Sequence, residues 1–147
     1  MGLNEELTQD LKEAMKGGNK QRVEAIRSLK NMLRSREIEK NEELTEEDQI
    51  KVLSTAAKQR RESIESYREG GRDDLVAQEE AELEIIESYL PEQLSEEEIG
   101  EMVDEVIAET GAETMQDMGR VMGTIMPKIR GQAEGSLVQQ IVREKLS

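Results

Sequence analysis

YLPEQLSEEEI, residues 89–99, divides the chain, and the rest of the sequence is read outward from it. Pro91 forces the residue before it out of helical conformation, so a helix arriving from upstream should stop at about Tyr89. Four residues on, Ser95 with Glu98 spells a capping box that opens a new helix. Nothing on either side reads convincingly as a strand. The expected fold is all-α, with an N-terminal subdomain of about four helices at 1–90 and a three-helix C-terminal subdomain at 91–147.

Upstream, the helix that ends at Tyr89 begins at about Asp73 and presents Leu75, Val76, Leu83, Ile86 and Leu90 as its apolar side. Its internal charges are all acidic: Asp73, Asp74, Glu79, Glu80, Glu82, Glu84 and Glu87. Gly70-Gly71 separates it from a helix that Thr45 and Asp48 open with another capping box and that carries Ile50, Leu53, Ala56, Ala57, Ile64 and Tyr67. Arg60 falls within that apolar face, where it is expected to snorkel or to pair with a glutamate of a neighbouring helix. A helix over about Lys20–Lys40 presents Ala25, Ile26, Leu29, Met32 and Leu33. Its residues Lys20, Arg27, Lys30 and Arg34 form a separate basic stripe roughly 125° round. That stripe either faces the acidic helix or water, or it is a second candidate for nucleic-acid contact. The first helix is read with Asn4 as its cap, Leu7, Leu11 and Met15 as its apolar side, and Gly17-Gly18 as its end.

Downstream, the helix opened by Ser95 carries Ile99, Val103, Val106 and Ile107 and closes at Gly111. Thr114 begins the next, and over MGRVMGTIMPKIRGQAEGSLV, residues 118–138, the composition changes abruptly. Met118, Met122 and Met126 repeat every fourth residue, and Gly119 and Gly123 do the same beside them. Glycine inside a helix costs roughly 1 kcal/mol relative to Ala, so the pair points to close helix packing. Pro127 kinks or ends this helix, and Gly131 and Gly135 bracket the start of the last one, with Leu137, Val138, Ile141, Val142 and Leu146 on its apolar face. Between Met118 and Ala133 the only ionised side chains are Arg120, Lys128 and Arg130. A bare helix start beside such cations suits an anion such as a phosphate, although Glu134 competes for the same N–H groups.

The residues Met118-Gly119, Met122-Gly123, Met126-Pro127-Lys128, Arg130-Gly131, Ala133, Gly135 and Val138 resemble the motif of the GatB/YqeY family. That family comprises the C-terminal tail domain of the GatB subunit of the tRNA-dependent amidotransferase and small stand-alone relatives. With YLPEQLSEEEI and the chain length, the resemblance is to the stand-alone YqeY-like members and covers the whole chain. Gln132 and Glu134 depart from the basic residue and the Asp common in the motif. The resemblance implies tRNA contact, or service beside a tRNA-linked amidotransferase; the candidate residues for that contact are Arg120, Lys128 and Arg130, from the local charge, with Gly131 and Gly135 at the bare helix start. It also brings the family label of carbon–nitrogen ligase activity with glutamine as amide donor, which belongs to the larger subunit.

Composition limits what else the chain can do. Charged residues are 37% and aromatics 1%, with two Tyr and no Phe or Trp, so the core must use Leu, Ile, Val, Ala and Met. A formal net charge of −14 opposes a general nucleic-acid or membrane-surface binder, and no DNA partner is expected. Without His or Cys there is no His-based triad, thiolate chemistry, disulfide or histidine metal site. No P-loop or dinucleotide fingerprint is present, and the amidase signature of the ammonia-producing partner is missing. No catalytic residue, metal or cofactor is expected, and no turnover by the chain alone. No run reaches transmembrane length and no apolar signal region opens the chain, so a cytoplasmic location is the default expectation. Two functions compete: a tRNA-associated helper, and a protein-interaction module with no RNA role.

Overall fold

The computed structural model describes residues 2–147, all-helical with no strand among them. Their contacts gather into two compact units, one ending at Leu90 and the other spanning Pro91–Ser147.

The first unit holds α1 (Leu3–Lys16), α2 (Lys20–Lys40), α3 (Glu46–Glu69) and α4 (Asp73–Glu87). Leu7, Ile26, Leu29, Leu33, Leu53, Ala56, Ala57 and Ile86 form its core. Each fully buried leucine or isoleucine there contributes on the order of 1.5–3 kcal/mol. Asn4 is not the cap of α1. The helix begins at Leu3 behind Gly2, with no side-chain cap, and the Asn4 carbonyl accepts from Thr8 Oγ1 inside the first turns. Met15 is also displaced from its expected role, being 54% exposed while its neighbour Ala14 is buried. The apolar face of α1 needs only the small side chain where the helix runs out.

Asn19 caps α2 by accepting the Arg22 N–H, and Asn41, at φ 58°, ends it in the left-handed conformation that asparagine tolerates. The Thr45–Asp48 box is formed in both directions. Lys40 reaches across to the Asp48 carboxylate, and this bond with the Thr45 N–H holds the Asp48 carboxyl well below the usual range. Arg60 resolves as an ion-pair centre, with its Nη1 2.9 Å from Glu79 and 3.0 Å from Glu82. Burial, followed by repulsion from Glu79, nevertheless raises the Glu82 carboxyl above its ordinary value.

The second unit holds α5 (Glu96–Thr110), α6 (Met118–Ile125) and α7 (Gly135–Leu146), with 3₁₀ turns at Met115–Asp117 and Met126–Lys128 on either side of α6. Ile99, Val103, Val106, Val121, Ile125, Ile129, Val138 and Val142 are almost wholly buried and make its core. Met118, Met122 and Met126 lie against that core as partly buried filler. The Ser95–Glu98 box opens α5, and Gly111, at φ 70°, closes it. Thr114 begins a 3₁₀ turn that runs into α6 rather than α6 itself.

Candidate nucleic-acid interface

The C-terminal candidates sit on a loop whose path is set from below. Ile129 is fully buried and anchors the chain after the Pro127 turn. Gly131 then takes φ +76°, which only glycine adopts without strain. Segment 91–94 clamps this loop. Gln93 Nε2 donates to the Gly131 carbonyl at 2.7 Å, the Leu94 N–H donates to the Gln132 carbonyl at 2.8 Å, and Gln132 Nε2 returns a bond to the Glu92 carbonyl at 3.3 Å. Gln93 and Gln132 are the residues that sequence reasoning missed. Their spacing of thirty-nine positions carries no local pattern that could have revealed them.

The local charge of +3 expected around Arg120, Lys128 and Arg130 does not survive in space. Arg120 pairs with Asp117 at 3.0 Å, one turn back and just outside the window counted along the sequence. Lys128 pairs with Glu109 of α5 at 3.2 Å. Both pairs are exposed and therefore weak, but each places a carboxylate beside its cation. Arg130 is exposed and also has an interaction partner. The Asp117 carboxyl is held low by the N–H groups of Glu113 and Thr114, with Arg120 adding to them. The whole unit carries twelve acidic side chains against five basic ones, seven of the acids on α5 alone. Gly135 does begin α7, behind Glu134, whose side chain makes no capping bond to the helix.

Gly119 and Gly123 do not mediate helix packing within the chain. Both are exposed, and a Cβ built on either meets nothing within 4 Å. Burial of Val121 and Ile125 turns the glycine side of α6 away from the core. With Met115, which is 41% exposed, this leaves an open small-residue surface.

The basic stripe of α2 has a different environment. Lys20, Arg27 and Arg34 are exposed and form no ion pair with any described residue. Lys30 is half-buried and donates to Thr8 Oγ1 at 2.8 Å, which leaves three cations for the solvent. The acidic helix α4 forms no ion pair with them, and four of its seven carboxylates are engaged by α3: Glu79 and Glu82 by Arg60, Glu87 by Arg61 and Glu80 by Arg68. Helix α2 carries seven basic residues against three acidic ones, the reverse of the protein's overall balance. Beside the stripe an open groove of about 830 Å³ lies between α2 and α3, with Met32 and Val52 in its floor and Ser28, Asn31 and Ser35 on its α2 wall.

Among the described residues no cluster of His, Cys, Asp or Glu is placed to hold a metal ion, and no helix is long and apolar enough to cross a membrane. The arrangement offers surfaces for contact: cations spaced along a rigid helix in the first unit, and a clamped loop bearing paired cations in the second.

Comparison with known proteins gives a family model described as Yqey-like protein, matching residues 4–146. Three curated relatives are each called Altered inheritance of mitochondria protein 41, mitochondrial. That of Eremothecium gossypii is 35% identical over 85 residues, covering 57% of this chain and 46% of its own. The Lachancea thermotolerans protein is 38% identical over the same length and shares. A Saccharomyces cerevisiae protein is 35% identical over 82 residues, 55% of this chain and 44% of its own. The chain thus spans about half the length of these relatives. Their mitochondrial names overturn the cytoplasmic expectation. That expectation rested on the lack of a transmembrane-length run and of an apolar signal region, features shared by proteins of more than one compartment.

Proposed function

The chain belongs to the YqeY-like protein family, and we propose that it is a non-catalytic accessory that contacts tRNA, principally through Lys20, Arg27 and Arg34 of α2. One observation carries the choice of surface: these three cations are exposed and unpaired among the described residues, whereas Arg120 and Lys128 already face carboxylates. A phosphate approaching α2 displaces only water and counterions, which is the favourable step in RNA binding. At the C-terminal loop it must first displace Asp117 or Glu109. That loop, with Arg130, Gly131 and Gly135, is then a secondary contact. The carbon–nitrogen ligase label attached to the family fits a partner amidotransferase that this chain assists, with glutamine handled by that partner. The names of the relatives favour a mitochondrial setting.

The test is tRNA binding across a salt series. Three phosphate contacts predict a roughly fortyfold loss of affinity between 50 and 200 mM salt, at a slope near 0.9 per contact. Changing Arg27 and Arg34 together to Ala is expected to reduce that loss to roughly fourfold. Changing Lys128 and Arg130 to Ala is expected to have the smaller effect. The reverse ranking returns the interface to the C-terminal loop. No tRNA binding at low salt passes the function to protein docking, the reading favoured by the net charge and by the open Gly119/Gly123 surface of α6.

A further inference from the structure

We infer that the RNA element this surface takes is a base-paired stem, held through phosphates and ribose 2′-hydroxyls rather than through unpaired bases. The inference rests on the RNA reading above and deepens it.

Lys20, Arg27 and Arg34 recur every seven residues, so they stand about 10.5 Å apart along one side of a rod. They fall within about 40° of one another around the helix axis. A rigid row of widely spaced cations suits charges held at fixed separations, as on the two backbones of a duplex. A single strand can bend to any row and gains little from this one. Strands without base pairing are held instead by aromatic platforms, each worth about 1–3 kcal/mol per stacked base. This protein has no Phe or Trp and only two tyrosines. The Tyr89 hydroxyl is committed to Asp10 and its ring packs against the core, while Tyr67 is half-buried on α3. No described residue beside the stripe can serve as a platform.

The neighbouring side of α2 supplies the second part. Ser28, Asn31 and Ser35 are exposed and neutral, and their side chains make no hydrogen bond with any described residue. They line the α2 wall of the groove next to the cations. A row of small hydrogen-bonding groups flanking a row of cations matches the wide, shallow minor groove of A-form RNA, which displays 2′-hydroxyls between two phosphate backbones. DNA presents no such hydroxyl, so the same surface discriminates between the two duplexes. Glu24, on the same groove wall, opposes the phosphates and limits affinity.

The experiment is competition against labelled tRNA at 50 mM salt by a short RNA duplex, a DNA duplex of the same sequence and a single-stranded oligouridylate of equal length. The RNA duplex should compete best; the DNA duplex, lacking the hydroxyls, should be weaker by about tenfold, the worth of two ordinary neutral hydrogen bonds, and the single strand should be weaker as well because it finds no stacking platform. Changing Asn31 and Ser35 to Ala is expected to erase the preference for RNA over DNA while leaving the salt slope unchanged. Glu24→Gln is expected to tighten all duplex binding. These residues lie on the exposed side of a helix, where alanine is well tolerated, and circular dichroism confirms the fold of each variant. If the single strand competes as well as the RNA duplex, or if the DNA duplex does and the Asn31/Ser35 change is silent, the stem inference falls while the tRNA reading stands. If tRNA itself fails to bind, both fall.

Discussion

Replacing Gly119 and Gly123 by alanine should stabilise the protein, and the sign of the change decides between two accounts of the same motif. Gly119 is the second residue of α6 and Gly123 lies further in; the residue that ends the helix, Met126, still has helical dihedrals of −56° and −43°. Alanine is worth roughly 1 kcal/mol over glycine in a helix interior and about half of that near the first turn. Since the new methyl groups meet nothing within 4 Å, no packing cost opposes this gain. The double variant should therefore gain roughly 1–1.5 kcal/mol. For a C-terminal unit of this size melting in its own transition, that corresponds to a rise of roughly 5–10 °C in midpoint. Thermal unfolding by circular dichroism, supported by urea midpoints, measures it. If the glycines instead admitted a neighbouring backbone, each methyl would overpack the contact and cost roughly 1–3 kcal/mol. A fall in stability for both single variants would falsify the open-surface assignment. A more stable protein that has lost a binding partner would place that partner on α6.

Three further outcomes are expected. Arg60→Ala strands Glu79 and Glu82, each 13% exposed, beside one another on α4, and should cost about 2 kcal/mol at neutral pH, somewhat below the loss typical of a fully buried pair. The Glu82 carboxyl is already raised in the folded state and would rise further, so the folded protein would take up protons more readily than the unfolded chain, and the deficit should shrink as pH falls from 7 towards 5; equal deficits at the two values would count against this account. Ser95→Ala removes the cap of α5 at a cost of about 1 kcal/mol. It also releases part of what holds the Glu98 carboxyl low; because a lowered carboxyl stabilises above its ordinary range and that stability is lost as pH falls, urea midpoints of the variant should decline less steeply on acidification than those of the parent. Gly131→Ala strains a backbone at φ +76° by roughly 1–2 kcal/mol, and Gln93→Ala removes the bond to that residue's carbonyl; hydrogen exchange at the Leu94 amide should accelerate in both, and unchanged protection would show that the clamp does not hold the loop.

The sequence by itself determined the helices and where they stop. Helix caps and breakers act over three or four residues, so Thr45 with Asp48, Ser95 with Glu98, and Leu90-Pro91 each carry their whole mechanism in adjacent letters. The apolar periodicity of α2 likewise fixed that Lys20, Arg27 and Arg34 lie away from Ile26 and Leu29, since the turn angle of a helix does not depend on its neighbours. Asn4 was misread because its side chain suits a cap, whereas Leu3 joins the partly buried side chains packed against the core and brings the helix start forward. Tertiary structure alone decided which charges meet. Lys128 finds Glu109 nineteen residues away, Arg60 gathers two carboxylates from α4, and Gln93 reaches the Gly131 loop across thirty-eight positions. The three α2 cations make no such encounter among the described residues. Charge counted along a chain says which side chains are ionised; whether a cation remains available to a ligand depends on the distance to the nearest carboxylate, and packing sets that distance.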